Sequence, residues 1–189
     1  VAVGASLLVA SLALTGCGTR GGDDSSDTGG GSGDTKVAKI GVIAPLSGDL
    51  AALGKGIEHS VDLAIKQANE SNAIPGWTLE LAAEDDQATP DVGKNAATKL
   101  SSDKEVVGVV GTLNSSVAQS VQPVLAAANI PMVSPANTNP SLTQGADFAT
   151  APKRAYPNYF RTCTTDSIQG PFAARYLFEK AGIKEIATV

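Results

Sequence analysis

The sequence predicts an α/β protein built on a parallel sheet. From residue 37 onward, short apolar runs alternate with segments of helical periodicity, which is the pattern of consecutive β-α units. Two of the runs are followed by loops rich in hydroxyl and amide side chains, residues 111–116 and 134–140. Because open α/β proteins bind ligands at the carboxyl ends of their strands, we expect both loops to lie at one binding edge.

The first strand and helix are predicted in residues 39–70. Residues 39–44 are an apolar run that ends at Pro45 and fits a buried strand. Residues 54–70 fit an amphipathic helix, in which Asp62 and Lys66 pair on the solvent face. The positions that we expect to point inward are Ile57, Val61, Ala64, Ile65 and Ala68.

The next two units follow in residues 77–128. Residues 77–84 read as a strand, and Thr89-Pro90 gives the N-cap and first-turn proline of a helix. Residues 106–110 form the third strand, after which Ser115 or Ser116 caps a third helix. Pro123 predicts a kink or a break within it. The expected inward residues of the two helices are Val92, Ala96, Leu100, Val117, Val121, Val124, Leu125 and Ala128.

The remaining elements are shorter. Residues 130–133 are the fourth strand, and residues 159–162 form a brief extended piece. Asp166 and Gln169 have the spacing of a capping box, and the helix they begin should end at Gly182. Its expected apolar side comprises Ile168, Phe172, Tyr176 and Leu177. Residues 183–189 read as the start of another strand.

The amino-terminal residues predict export and anchoring. Residues 1–14 are apolar and uncharged, shorter than the ~20 residues of a membrane-spanning helix but suited to an export signal. They lead into Leu-Thr-Gly-Cys, which resembles a bacterial lipobox, so residues 1–16 are the expected signal peptide and Cys17 the lipidated residue. The rest of residues 17–36 is rich in Gly, Asp and Ser and reads as a flexible tether.

Composition disfavours several classes of function. The net charge is −5, the isoelectric point is about 4.8, and basic residues do not cluster, which argues against nucleic acid and anionic lipid partners. No G-x-S-x-G motif, G-x-G-x-x-G helix start or Walker loop is present, and His59, the only histidine, falls on a polar helix face. We therefore expect no metal, no cofactor and no enzymatic activity. Cys163 is expected to be a buried packing residue.

Each candidate binding residue also has a plain structural interpretation. Ser115 and Ser116 can be helix caps, and Asn137 and Thr138 can be turn residues. Ser47 is a weaker candidate, because an ordinary turn after the first strand accounts for it. The acidic residues 84–86 are expected to form a solvated loop. The expected convergence of two loops at one edge favours binding over these alternatives.

Several segments together resemble the branched-chain amino acid solute-binding proteins of ABC transporters. The most specific is Ser-Pro-Ala-Asn-Thr-Asn-Pro at residues 134–140. The other matching segments are residues 40–48, 84–86, 109–111, 114–116, 130–131, 160–163 and 166–171. The resemblance extends over residues 37–189.

The resemblance implies a type I periplasmic-binding-protein fold, with two Rossmann-like lobes joined by a hinge. Residues 37–165 would form an incomplete first lobe, and residues 166–189 the crossover helix and first strand of the second. It also implies that Ser115 and Thr138 receive the ligand carboxylate, that the Ala136 carbonyl and the Thr138 hydroxyl face the ammonium, and that Leu53 lines the side-chain pocket.

The function implied is capture of an aliphatic amino acid, or of a related amide or carboxylate, for delivery to an ABC permease. The protein would act outside the cytoplasm and touch the membrane only through its lipid anchor. Two alternatives remain open at this point. One is a ligand-sensing receptor domain of the same fold, and the other is a surface-anchored α/β hydrolase.

Overall fold

The structure is a computed structural model that describes residues 35–187. The expected signal peptide, Cys17 and nearly all of the tether lie outside the described residues. The strands and helices are β1 (Lys36–Ala44), α1 (Ala51–Glu70), β2 (Trp77–Asp85), α2 (Pro90–Ser102), β3 (Val106–Gly111), α3 (Ser115–Ala127), β4 (Met132–Ser134), α4 (Ser141–Gln144), β5 (Tyr159–Arg161) and α5 (Asp166–Glu179).

All five strands pair in parallel, in the order β2-β1-β3-β4-β5. This confirms the predicted class of fold and the predicted adjacency of β3 and β4. In register, Ile43 of β1 lies between Glu84 of β2 and Gly111 of β3. The loops that follow the strands therefore leave the sheet along a single edge.

Helices cover both faces of this sheet because side chains alternate along each strand. Ile43 and Val109 belong to the buried cluster that α2 and α3 complete with Leu100, Val121 and Leu125. Ile40 and Val110 point to the other face, where they line a groove beside α1. The apolar core of the described residues thus lies on the α2–α3 face.

The α1 face is less completely covered. Of the five positions expected to point inward, only Ile65 is buried. Ile57, Val61 and Ala64 instead line the groove, which has a volume of about 610 Å³. Asp62 and Lys66 form the predicted ion pair on the solvent side, at 2.6 Å.

The proline in α3 does not break the helix as expected. The helix is continuous over Ser115–Ala127 with Pro123 inside it. A proline removes one backbone hydrogen bond, but Pro123 and Gln119, whose carbonyl loses its partner, are both exposed. Water can therefore satisfy the freed carbonyl, and of the predicted kink or break the break is wrong.

The carboxyl-terminal described residues differ most from expectation. The first helical residue of α5 is Asp166 and its N-cap is Thr165, without a side-chain capping bond, so the predicted capping box is absent. None of the α5 residues is buried. Residues 183–187 are not in a strand, because no neighbouring strand within the described part pairs with them. Within residues 35–187, no helix is long and apolar enough to cross a membrane.

Candidate functional site

The two hydroxyl-rich loops meet at the carboxyl edge of β3 and β4. The Asn139 backbone N–H donates a hydrogen bond to Ser115 Oγ at 3.3 Å, which joins the loop after β4 to the start of α3. Thr138, the neighbour of Asn139, is half-buried at this junction. The predicted convergence of the two loops is confirmed.

Ser115 and Ser116 are not helix caps. The N-cap of α3 is Asn114, which makes no side-chain capping bond, and both serines lie in the first helical turn. The first N–H groups of α3 have no helical acceptors, and the helix dipole adds partial positive charge there. Since Ser115 Oγ accepts the bond from Asn139, its own proton can be donated to an anion. Ser116 is exposed one position further along.

Asn137 lies beneath the edge rather than on its surface. Its side chain is fully buried, and its Nδ2 donates to the carbonyls of Thr112 and Leu113, each at 3.0 Å. Its Oδ1 accepts a bond from the Tyr159 hydroxyl at 3.0 Å. The amide is therefore occupied by protein groups, and the expected contact of Asn137 with ligand stays a prediction.

Ser134 makes a second connection between the loops. Its hydroxyl donates to the Thr112 carbonyl at 3.0 Å and accepts from the N–H groups of Ala136 and Asn137. Thr112, Ser134, Asn137 and Tyr159 are all buried, and we call these four residues the loop junction. The turn at residues 134–137 is thus held from within.

The segment between β5 and α5 packs against the same turn. Arg161 Nη1 donates to the Asn137 carbonyl at 2.7 Å, and the Cys163 thiol donates to the same oxygen at 3.1 Å. The Asp166 N–H donates to the Thr138 carbonyl at 3.0 Å. Cys163 is half-buried rather than fully buried, because its thiol lies where the segment before α5 contacts this turn.

The apolar part of the candidate site is the end of the groove beside α1 that lies nearest the carboxyl ends of the strands. Leu53, Leu113, Pro135 and Ala136 line it together. Leu53 projects from the first turn of α1 and is 58% exposed. An apolar wall therefore lies next to the polar edge formed by Ser115 and Thr138.

Ser47 does not join Ser115 and Thr138 at the polar edge. It is exposed, and its hydroxyl donates to the Asp85 carboxylate at 2.5 Å on the β2 side of β1. Asp85 also accepts from the N–H groups of Leu46 and Gln87. Desolvation opposes ionisation here, but these hydrogen bonds outweigh it and lower the pKa of Asp85.

The expectation of a solvated acidic loop at residues 84–86 is wrong for Asp86. This side chain is fully buried, one carboxylate oxygen accepts from the Ala88 N–H at 2.8 Å, and the other has no partner. Burial raises the pKa of Asp86, and the charge of Asp85 adds to the rise. Sequence periodicity gave no signal for this burial.

A metal site is not evident in the described part of the chain, where no three His, Cys, Asp or Glu side chains group together. His59 is exposed on α1, as its place on the polar face predicts. Tyr159 and Arg161, which sequence reasoning treated as parts of a short extended piece, contribute to the loop junction and its support.

Comparison with known proteins shows the family. A family model described as "periplasmic binding protein" matches residues 37–189. The chain belongs to this family. The Leu/Ile/Val-binding protein BraC3 of Rhizobium johnstonii is 36% identical over 150 residues, which are 79% of this chain and 38% of that protein.

Two solved structures show the same fold. The branched-chain amino acid transporter substrate-binding protein LivJ of Streptococcus pneumoniae, in complex with isoleucine, has a TM-score of 0.68 and 27% identity over 78% of this chain and 39% of its own. A solute-binding protein of an R. palustris ABC transporter, in complex with 4-hydroxybenzoate, has a TM-score of 0.64 and 26% identity over 77% and 36%. The chain thus spans about two fifths of the length of these relatives.

Proposed function

We propose that this periplasmic binding protein chain belongs to the solute-binding component of an ABC importer, which binds a branched-chain or other aliphatic amino acid. Binding without a chemical step is the activity proposed, and ABC permease subunits are the proposed partners. The observation that carries the proposal is the junction of Ser115 with the loop containing Thr138, at the uncapped start of α3.

The polar edge suits the carboxylate of an amino acid. A carboxylate placed there would meet the Ser115 hydroxyl proton, the Thr138 hydroxyl and the free N–H groups of the first turn of α3. The Ala136 carbonyl lies in the same turn as Thr138 and is the proposed acceptor for the ammonium. Donors for one end of a zwitterion and an acceptor for the other thus come from the two loops.

The adjoining apolar surface suits an aliphatic side chain. Leu53, Leu113 and Ala136 would contact it, and burial of apolar area contributes roughly 25 cal/mol per Å². The relatives named above support this class of ligand, since one is a Leu/Ile/Val-binding protein and another was crystallised with isoleucine. Ser47, tied to Asp85, has at most a peripheral role in this proposal.

Location outside the cytoplasm follows from the family, whereas attachment is a further proposal. We propose that Cys17 carries a lipid and that residues 17–36 tether the binding domain to the membrane. This rests on the lipobox-like sequence and the polar composition of the segment that follows it.

Ligand-dependent stabilisation of the full-length protein tests the function. Leucine, isoleucine or valine at 100 times its dissociation constant should stabilise the protein by about 2.7 kcal/mol. The screen includes 4-hydroxybenzoate and aliphatic amides as alternative ligands. A melting temperature that no amino acid, amide or small organic acid changes would contradict the proposal. Binding without uptake by a reconstituted permease would favour the sensory alternative.

The variant Thr138→Val tests the polar edge. It keeps the size of the side chain and removes the hydroxyl, so the affinity for leucine should fall about tenfold while the protein stays folded. Thr98→Val makes the same change on the exposed side of α2 and should leave affinity unchanged. Equal dissociation constants for Thr138→Val and the unmodified protein in calorimetry would remove Thr138 from the site.

A further inference from the structure

We propose that Asn137 and Tyr159 are positioning residues that fix the two ligand loops relative to each other. They would act on affinity without touching the ligand. This inference rests on the proposed function, because it concerns how the same site is held. It assigns a role to a buried pair that binding-site contacts alone would not identify.

Asn137 joins the two loops directly. It lies in the turn after β4, yet its Nδ2 reaches the carbonyls of Thr112 and Leu113 in the loop after β3. Carbonyl oxygens only accept hydrogen bonds, so the amide nitrogen must face them and both of its protons are used. The next residue, Thr138, and the start of α3 at Ser115 are thereby held at one spacing.

Tyr159 sets the orientation of this amide. Its hydroxyl donates to Asn137 Oδ1 at 3.0 Å and is itself buried in β5. Burial raises the pKa of Tyr159 to about 12, so the phenol keeps its proton at neutral pH and remains a donor. A donor at this end of the amide favours the orientation in which Nδ2 faces the two carbonyls.

The pair therefore has one satisfied arrangement. Rotation of the amide would bring Oδ1 against two carbonyl oxygens and would take from the Leu113 carbonyl the donor that it has in the structure. Because Ser115 Oγ and the Asn139 N–H also meet across this boundary, a shift between the loops would disturb the polar edge. Binding groups tolerate displacements of only about 0.5 Å.

A double-mutant cycle on the full-length protein tests the proposal, with L-leucine as the probe. We expect Tyr159→Phe to weaken binding about fivefold, since Asn137 loses its donor, and Asn137→Ala to weaken it about tenfold. The double variant should bind within about twofold of Asn137→Ala, because the tyrosine hydroxyl acts through the amide. Calorimetry gives all four dissociation constants.

Controls separate positioning from loss of stability. Tyr156→Phe removes a hydroxyl from the nearby half-buried Tyr156 and should leave affinity unchanged. Val106→Ala opens space at the amino end of β3 and should lower the melting temperature without changing the dissociation constant. Asn137→Ser takes the place of Asn137→Ala in the cycle if circular dichroism shows the alanine variant unfolded.

The outcomes distinguish this inference from the proposed function. If the unmodified protein does not bind leucine, isoleucine or valine, the proposed function fails first. If the unmodified protein binds and both single variants have the same dissociation constant as the unmodified protein, the positioning role is overturned. Additive losses in the double variant also overturn it, because they would show that the two side chains act independently.

Discussion

Asp85 and Asp86 are neighbours at the end of β2, but the fold shifts the pKa values of their carboxyl groups in opposite directions. Desolvation is partial at Asp85, and hydrogen bonds from Ser47, Gln87 and Leu46 lower the pKa of that carboxyl. Asp86 is fully buried with one unpartnered oxygen, and desolvation raises its pKa. One residue's difference in position decides whether the negative charge is stabilised or opposed.

These shifts predict how stability depends on pH. Because the folded pKa of Asp86 is raised, its contribution is largest below the unfolded value of 3.8 and is lost as pH rises through the folded pKa. Asp86→Asn keeps an acceptor for the Ala88 N–H and removes the buried charge. The variant should therefore melt at a higher temperature than the unmodified protein at pH 7, with the difference shrinking toward pH 3.8.

Asp85→Asn is the matched control, with the opposite sign. Its lowered pKa contributes stability above the unfolded value, and this is lost as pH falls through the folded pKa. Asp85→Asn should therefore lower the melting temperature at pH 7. Thermal melts between pH 3 and pH 8 compare the two variants. A decrease in both at pH 7 would contradict the assignment for Asp86.

At the scale of elements, the start of α1 is set by close approach to the loop after β1. Gly54 is buried in the first turn of α1, and a Cβ there would overlap the Pro45 carbonyl. Gly111 allows a similar approach at the end of β3, where φ is +138° and a Cβ would overlap the Ile43 carbonyl. Glycine at these points lets α1 approach the loop after β1 and lets the end of β3 approach β1.

Two glycines two positions apart in α1 test this packing. Gly54→Ala should destabilise the protein by about 1–3 kcal/mol, because the added methyl forces α1 away from Pro45. Gly56→Ala, where a Cβ meets nothing within 4 Å, should stabilise it by about 0.5–1 kcal/mol through helix propensity. Urea unfolding measures both free energies. A stabilising Gly54→Ala would show that α1 does not depend on this contact.

At the scale of the whole molecule, the described residues leave apolar surface uncovered. The side chains of Ile168, Phe172 and Phe178 on α5 are each 64% exposed. The groove beside α1 is a second such surface. Exposed apolar area of this kind promotes association.

A polypeptide of residues 35–187 should therefore self-associate. We expect light scattering after size exclusion to give a mass above that of the monomer, together with binding of a hydrophobic dye. A polypeptide that ends at Thr165 lacks α5 and should associate less. A monomer that binds no dye would show that these surfaces are covered in solution.

Local sequence signals were sufficient to predict the order of the elements and the sheet edge at which the candidate site lies. Apolar runs and helical periodicity are local signals, and they located four strands and the main helices within a few residues. The pairing of β3 with β4 and the meeting of Ser115 with the loop after β4 followed from parallel topology. These features depend on patterns within short windows of the chain.

Which polar groups face the solvent and which are buried depends on tertiary packing and could not be predicted from the sequence. Asn137 and Thr138 are adjacent polar candidates, yet Asn137 is enclosed by Thr112, Leu113 and Tyr159. Asp86 is buried and Asp85 is not, and Pro123 is accommodated because its side of α3 is exposed. Each outcome depends on groups distant in sequence, whose hydrogen bonds and desolvation no local pattern encodes.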